Sequence, residues 1–185
     1  MRSAPSGAGP DKKKVKTMKY YFRENFRFLY ADGALYDSNN NPVYTYENQT
    51  IFFPQIDLFR YGEKVGHVKK NFTFFLREYD IFVQERLVDT LNQQFTLFRQ
   101  ELQLDKLGWT VKGDFLALSY QIYDRNGNVI CYVDQELFHF TRHYCVNVLD
   151  ESQELLIILV VLAINQYDKD ASAAASSGSH HSNNH

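Results

Sequence analysis

The sequence predicts a mainly β domain: an antiparallel barrel closed around a hydrophobic helix near its C-terminus. Three observations carry this expectation. Leu155–Ile164 reads LLIILVVLAI and has no polar side chain on any face. A hairpin-sized pattern recurs three times along the chain. Short runs with period-two alternation are punctuated by turn residues throughout.

The helix is the most informative element. A surface helix shows an apolar stripe and a polar back, and this segment has no polar back. A membrane span needs roughly 20 apolar residues. This run is about half that length by the same measure, with Asp150, Glu151 and Glu154 before it and Asn165, Gln166, Asp168, Lys169 and Asp170 after it. It is therefore read as a helix enclosed by the protein's own fold. Asp150 with Gln153 three residues on has capping-box spacing and marks its start.

The strands come next. Leu116, Leu118, Tyr120 and Ile122 alternate with Ala117, Ser119, Gln121 and Tyr123. Turn chemistry separates such runs at 38–42, 61–64, 112–114 and 125–128. Asn126-Gly127, between LSYQIYD and VICYV, is a strong hairpin signal. The repeat sharpens the picture. Residues 65–83, 88–106 and 130–148 align without gaps, so that Val68, Leu91 and Val133 correspond, as do Phe75, Phe98 and Phe140. The second strand of each unit presents one apolar face: Tyr79-Ile81-Val83, Leu102-Leu104 and Tyr144-Val146-Val148. Three hairpins with one apolar face in register contribute to a common interior. A sheet of this kind curls, closure removes its edges, and a wide lumen is filled by a helix that is apolar all round.

Composition sets the outer bounds. A chain of 185 residues with 44% hydrophobic content builds one ordinary domain. Residues 1–17 and 168–185 read as disordered tails, the first basic, the second rich in Ala, Ser, His and Asn. Met18 opens the first strand-like run, which places the barrel domain at 18–167. The first tail has five Lys/Arg and one Asp, the second a net −1; with −2 overall, residues 18–167 carry −5. A mildly acidic folded part argues against nucleic acid as a partner. No N-terminal apolar stretch resembles a signal peptide, and the expected compartment is the cytoplasm. Cys131 and Cys145 are expected as buried thiols.

The elements GHVKKNFTFF (66–75), GWTVKGDF (108–115), YQIYDRNGNVI (120–130) and YCVNVLDESQELLIILVVLAINQ (144–166) resemble the LURP-one-related branch of the tubby-like fold, in particular its small bacterial members. The resemblance covers about residues 18–167. It implies a closed antiparallel barrel of about twelve strands around one central helix, and no established enzymatic activity. Relatives in the wider fold bind phosphoinositide headgroups. Family members typically end the helix in an Asp, whereas Asn165 stands near that place here. The matching motifs are hairpins, turns and the helix, so they speak for fold rather than activity.

Searched directly, the chain has no GxSxG, no Walker-type GKS/GKT and no GxGxxG. No catalytic or cofactor-binding residue and no cofactor is expected. His139, His143 and Cys145 could in principle ligate a metal, but their placement on a loop and strand favours packing or solvent contact. Pairs such as Asp37 with Glu47, or Glu78 with Asp80, read as solvated faces. Lys69 and Lys70 are absent from the other repeat copies, so the scaffold does not require them. With Arg77 they form the candidate anion-binding set, although adjacent strand residues face opposite ways. The expected role is a non-enzymatic binding or regulatory module whose partner is a protein or an anionic lipid headgroup. The alternatives are a small-molecule or lipid-binding barrel, or an enzyme with a rim pocket.

Overall fold

The computed structural model describes residues 17–27, 30–49, 55–72, 77–95, 100–114, 119–136 and 143–178. Twelve strands follow one another as β1 (Met18–Arg27), β2 (Tyr30–Tyr36), β3 (Pro42–Asn48), β4 (Gln55–Arg60), β5 (Glu63–Phe72), β6 (Arg77–Val83), β7 (Arg86–Phe95), β8 (Gln100–Leu104), β9 (Trp109–Asp114), β10 (Ser119–Tyr123), β11 (Val129–Glu136) and β12 (His143–Val148). Each strand pairs with its sequence neighbours. β1 then pairs antiparallel with β12, Met18 opposite Val148, and the sheet closes into a barrel. A 3-10 turn, Glu151–Gln153, leads into α1 (Glu154–Gly178), the one α-helix among the described residues.

Strand number explains the helix. A barrel of eight strands is about filled by its own side chains, and diameter grows with strand count. Twelve strands leave a lumen, and a helix with side chains is roughly 10–12 Å across. α1 occupies it: every residue from Ile157 to Ile164 is 0% exposed. Burying each such Ile, Leu or Val stabilises the fold by about 1.5–3 kcal/mol. Gly66 on β5 lets the helix come close. A Cβ there would lie 2.5 Å from the Phe82 carbonyl oxygen and 2.9 Å from a Leu159 methyl.

The repeat positions face inward as the pattern requires. Val68, Leu91 and Val133 are buried, as are Tyr79, Ile81, Leu102, Leu104, Tyr144, Val146 and Val148. Tyr120 and Ile122 join them. Phe75, Phe98 and Phe140, with Leu116 and Leu118, lie outside the described residues. Cys131 and Cys145 are buried and not joined in a disulfide.

At one mouth of the barrel the helix begins, and the turns after β2, β4, β6, β8 and β10 surround it. Four of the five hairpins there carry a register shift next to the turn: at Leu35/Tyr36, Leu58/Phe59, Ile81/Phe82 and Ile122/Tyr123. Such bulges increase local twist and bend the strands, which suits the rim of a barrel. The turns at Asp37–Asn41 and Asp124–Asn128 share one chemistry. In each, one carboxylate oxygen accepts the amides two and four residues on, and the other accepts from the second Asn side chain. Hydrogen bonds from Asn41 chiefly hold the Asp37 carboxyl below its ordinary pKa, and bonds from Asn128 do the same for Asp124.

Asp150 caps the 3-10 turn rather than α1 itself: its side chain accepts from the Ser152 amide and hydroxyl, and the α-helix starts four residues later. The far end of the helix also departs from expectation. The sequence places the domain limit at 167 and a disordered tail beyond it, whereas α1 continues to Gly178. Ala171, Ala173, Ala174 and Ala175 are strong helix formers. Tyr167 and Asp168 are buried, and Asp170 binds the wall, so tertiary contacts draw the helix past the apolar run.

Candidate functional site

The lumen is where a barrel would hold a ligand, and here it is occupied. The polar groups inside it serve the helix. At the capped mouth the Glu154 carboxylate accepts a hydrogen bond from the Tyr20 hydroxyl and one at 3.0 Å from the Tyr44 hydroxyl. Arg60 lies 3.6 Å from its other oxygen. Burial, reinforced by the adjacent Glu154 charge, raises the pKa of both tyrosines. Near the other end of α1, Asp170 accepts from the Tyr79 hydroxyl at 2.6 Å and pairs with the Lys70 ammonium at 2.5 Å. Gln166, one helical turn earlier, donates to its second oxygen. Tyr79 is likewise raised by burial and by its bond to Asp170.

This geometry divides the sequence-derived anion set. Lys70 shares the inward face of β5 with Val68, and its charge meets Asp170. Arg77 sits at the start of β6 with its guanidinium 5.8 Å from the Tyr167 ring centroid. Lys70 and Arg77 thus converge on the same stretch of α1. Lys69 is exposed and faces away from the lumen, opposite Asp80. The sequence signal missed Glu154, Asp170 and their tyrosines because each partner pair is far apart in the chain.

A second polar group lies on the outer wall. Lys64 bridges Asp57 at 3.0 Å and Glu85 at 3.2 Å. His67 stacks on Phe82 with ring centroids 4.3 Å apart, and its Nδ1 lies 3.7 Å from Glu85. Burial and the Lys64 charge lower the His67 pKa. The neutral imidazole therefore packs as an aromatic, and a single ion-pair network neutralises its surroundings. Asp37 is tied up in its own turn, as described above. Among the described residues no three His, Cys, Asp or Glu gather where they could hold a metal ion. Cys145 is buried, and His139 lies outside the described residues.

One cavity opens at the capped mouth, about 250 Å³ in volume. Leu107, Trp109 and Ile130 form its apolar side; Asp124, Arg125, Asp150 and Gln153 form its polar edge. The Arg125 guanidinium ties the neighbouring turn by donating to the carbonyls of Lys106 and Leu107. Asp89, buried beneath, accepts from the Leu107 amide and fixes the same turn.

A twelve-stranded antiparallel barrel threaded by one C-terminal helix defines a fold class, and comparison with known proteins places the chain within it. The family model for LURP-one-related proteins matches residues 18–165, so the chain belongs to the LURP-one-related family. An X-ray structure of a protein from Arabidopsis thaliana superposes with a TM-score of 0.55 at 15% identity, over 80% of this chain and 92% of that one. At that identity the likeness is one of fold alone. No curated protein matches the chain. Among the described residues no helix is long and apolar enough to cross a membrane.

Proposed function

We propose that this chain is a binding or regulatory module without a catalytic centre, acting through its outer wall and rim on a protein or an anionic lipid headgroup. The observation that carries this reading is the filled lumen: the eight residues of α1 at the centre of the barrel are fully buried. The interior carboxylates Glu154 and Asp170 are engaged in holding the helix, which leaves them unavailable as acid–base groups. The cavity at the capped mouth, about 250 Å³, is itself below the roughly 300 Å³ at which drug-sized ligand pockets begin.

The test uses anionic and neutral vesicles with the full chain and with the chain starting at Met18, across a salt series, beside a pull-down from host lysate analysed for lipids and proteins. A basic residue near an anionic surface contributes roughly 1 kcal/mol. The full chain should therefore bind weakly through Arg2, Lys12, Lys13, Lys14 and Lys16, and binding should fade as screening shortens to about 8 Å at physiological salt. The chain starting at Met18 should bind little. Tight, salt-resistant binding by that shorter chain would replace this picture with a specific headgroup site, and Lys69, Lys70 and Arg77 would be the first residues to mutate.

A further inference from the structure

The cavity at the capped mouth sets an apolar wall beside polar groups that the fold leaves unused. Trp109 and Ile130 are buried, at 6% and 5% exposure, and Leu107 completes that wall. On the polar edge, the carboxylates of Asp124 and Asp150 outnumber the Arg125 guanidinium two to one. Asp124 engages both oxygens within its own turn. Arg125 donates to the Lys106 and Leu107 carbonyls. Asp150 engages Oδ1 alone, which accepts from the Ser152 amide and hydroxyl. Its Oδ2 has no hydrogen-bond partner among the described residues, and neither has the Gln153 side chain. Lys106 is exposed and does not line the cavity.

These groups select a ligand class. A volume of about 250 Å³ suits one long side chain rather than a drug-sized molecule. An anion would meet two carboxylates, and the one guanidinium is already fastened to carbonyls. A guanidinium ligand brings five donors in a rigid fork, more than Asp150 Oδ2 and the Gln153 amide oxygen can accept. A quaternary ammonium is recognised by a cage of aromatic faces, and Trp109 is the one ring in this lining. A primary ammonium has three donors: two match the free acceptors and the third can face water. Its methylene stem would lie on Trp109, Leu107 and Ile130, as lysine stems lie along apolar surface elsewhere.

We propose that this cavity binds a primary ammonium on a short aliphatic stem, the nitrogen at Asp150 Oδ2 and Gln153 and the stem against Trp109. A lysine side chain of a partner protein and a free alkyl diamine both present that chemistry. The binding-module reading rests on the filled lumen, so it would survive failure of this site.

Trp109 is the only tryptophan in the chain and lines the cavity, so its fluorescence reports directly. The full chain is titrated near neutral pH at constant ionic strength with acetyl-lysine amide, with its uncharged counterpart acetyl-norleucine amide, and with the diamine cadaverine. The two amines should give a saturable change. The norleucine probe should bind at least about tenfold more weakly, the loss of one charge-assisted hydrogen bond. Tighter binding of the lysine probe than of cadaverine assigns the site to a partner's side chain, and the reverse order assigns it to a free amine. Asp150→Asn keeps a competent capping side chain and should weaken both amines about tenfold. Gln153→Ala leaves that cap in place and should weaken them by about fivefold, the neutral hydrogen bond being the smaller contribution. Both variants should keep a cooperative melting transition. An unsaturable response to both amines, or equal affinity for the lysine and norleucine probes, overturns the proposal. So does unchanged amine affinity in both variants, since the nitrogen would then lie elsewhere.

Discussion

The two ends of α1 are held by the same kinds of group in different proportions. Glu154 opens the helix and accepts from two buried phenols, with Arg60 no closer than 3.6 Å. Asp170, sixteen residues and so about 24 Å further along the axis, accepts from one phenol and meets an ammonium at 2.5 Å. An acid in the first turn is favoured by the helix dipole; Asp170, about two turns before the end of α1, has no such support, since the effect falls off within the terminal turn. The first anchor can therefore be built mainly from neutral hydrogen bonds, whereas the second uses a full countercharge. Between them the helix is apolar on every face and fixes nothing about its own height in the barrel. Two anchors set that height, and each compensates for a different local field.

The largest effect should come from breaking what lies between the anchors. Ile158→Asp or Val161→Lys leaves a charge buried without a partner, at a cost of several kcal/mol, comparable to the stability of a whole domain. Neither variant should show a cooperative melting transition; a near-normal transition in either would refute the central-helix architecture. Next comes Glu154→Ala, which strands the Tyr20 and Tyr44 hydroxyls. Each unsatisfied buried group costs about 1–3 kcal/mol, so denaturant unfolding should show a loss of roughly 2–6 kcal/mol. Asp170→Asn keeps an acceptor for Tyr79 and removes only the charge that faces Lys70. Both partners keep some solvent access, so the expected loss is smaller, about 1 kcal/mol.

Alkaline pH should weaken both anchors together. Tyr20, Tyr44 and Tyr79 all have folded pKa values above the ordinary tyrosine value near 10. Above that pH the unfolded chain releases protons that the folded chain retains, so stability falls as pH rises. Below it the contribution is fully present. Urea midpoints between pH 8 and pH 11 should drop for wild type and drop less for a Tyr20→Phe/Tyr44→Phe/Tyr79→Phe variant. The smallest effects belong to the ends. Removing residues 1–17 or 171–185 should shift the midpoint little, since neither supplies the buried core. A loss of several degrees from the C-terminal truncation would show that the helix beyond Asp170 contributes more than its exposed alanines suggest.

The contrast also explains what could be read from the sequence. The apolar run 155–164 and the inward positions Val68, Leu91 and Val133 announce themselves because burial imposes a local period. The extension of α1 to Gly178 does not, because Tyr167 to Asp170 look like solvent-facing residues until Tyr79, 91 residues from Asp170, is placed beside them. For the same reason the inward direction of Lys70 is legible from strand alternation while its partner is not. The twin turns at Asp37 and Asp124 were legible: D-x-N-x-N stands in both places in the sequence. The cavity beside Trp109 was not, since it is assembled from two separate turns, strands β9 and β11, and the capped 3-10 turn before α1.

The closure of β1 on β12, with the helix following all twelve strands, has a consequence for synthesis. A ribosome delivers all twelve strands before it delivers the element they wrap. Until Glu154–Gly178 emerges, the inward faces of the hairpins have no core to close around. Local hairpins can pair during translation, but pairing of the chain's two ends is the most non-local contact in the fold and is correspondingly slow. Completion must therefore wait until the helix has left the ribosome, and the unfinished sheet is a natural client for chaperones. Protease digestion of nascent chains stalled just before and just after residues 154–178 should show protection appearing in one step, only in the longer chains.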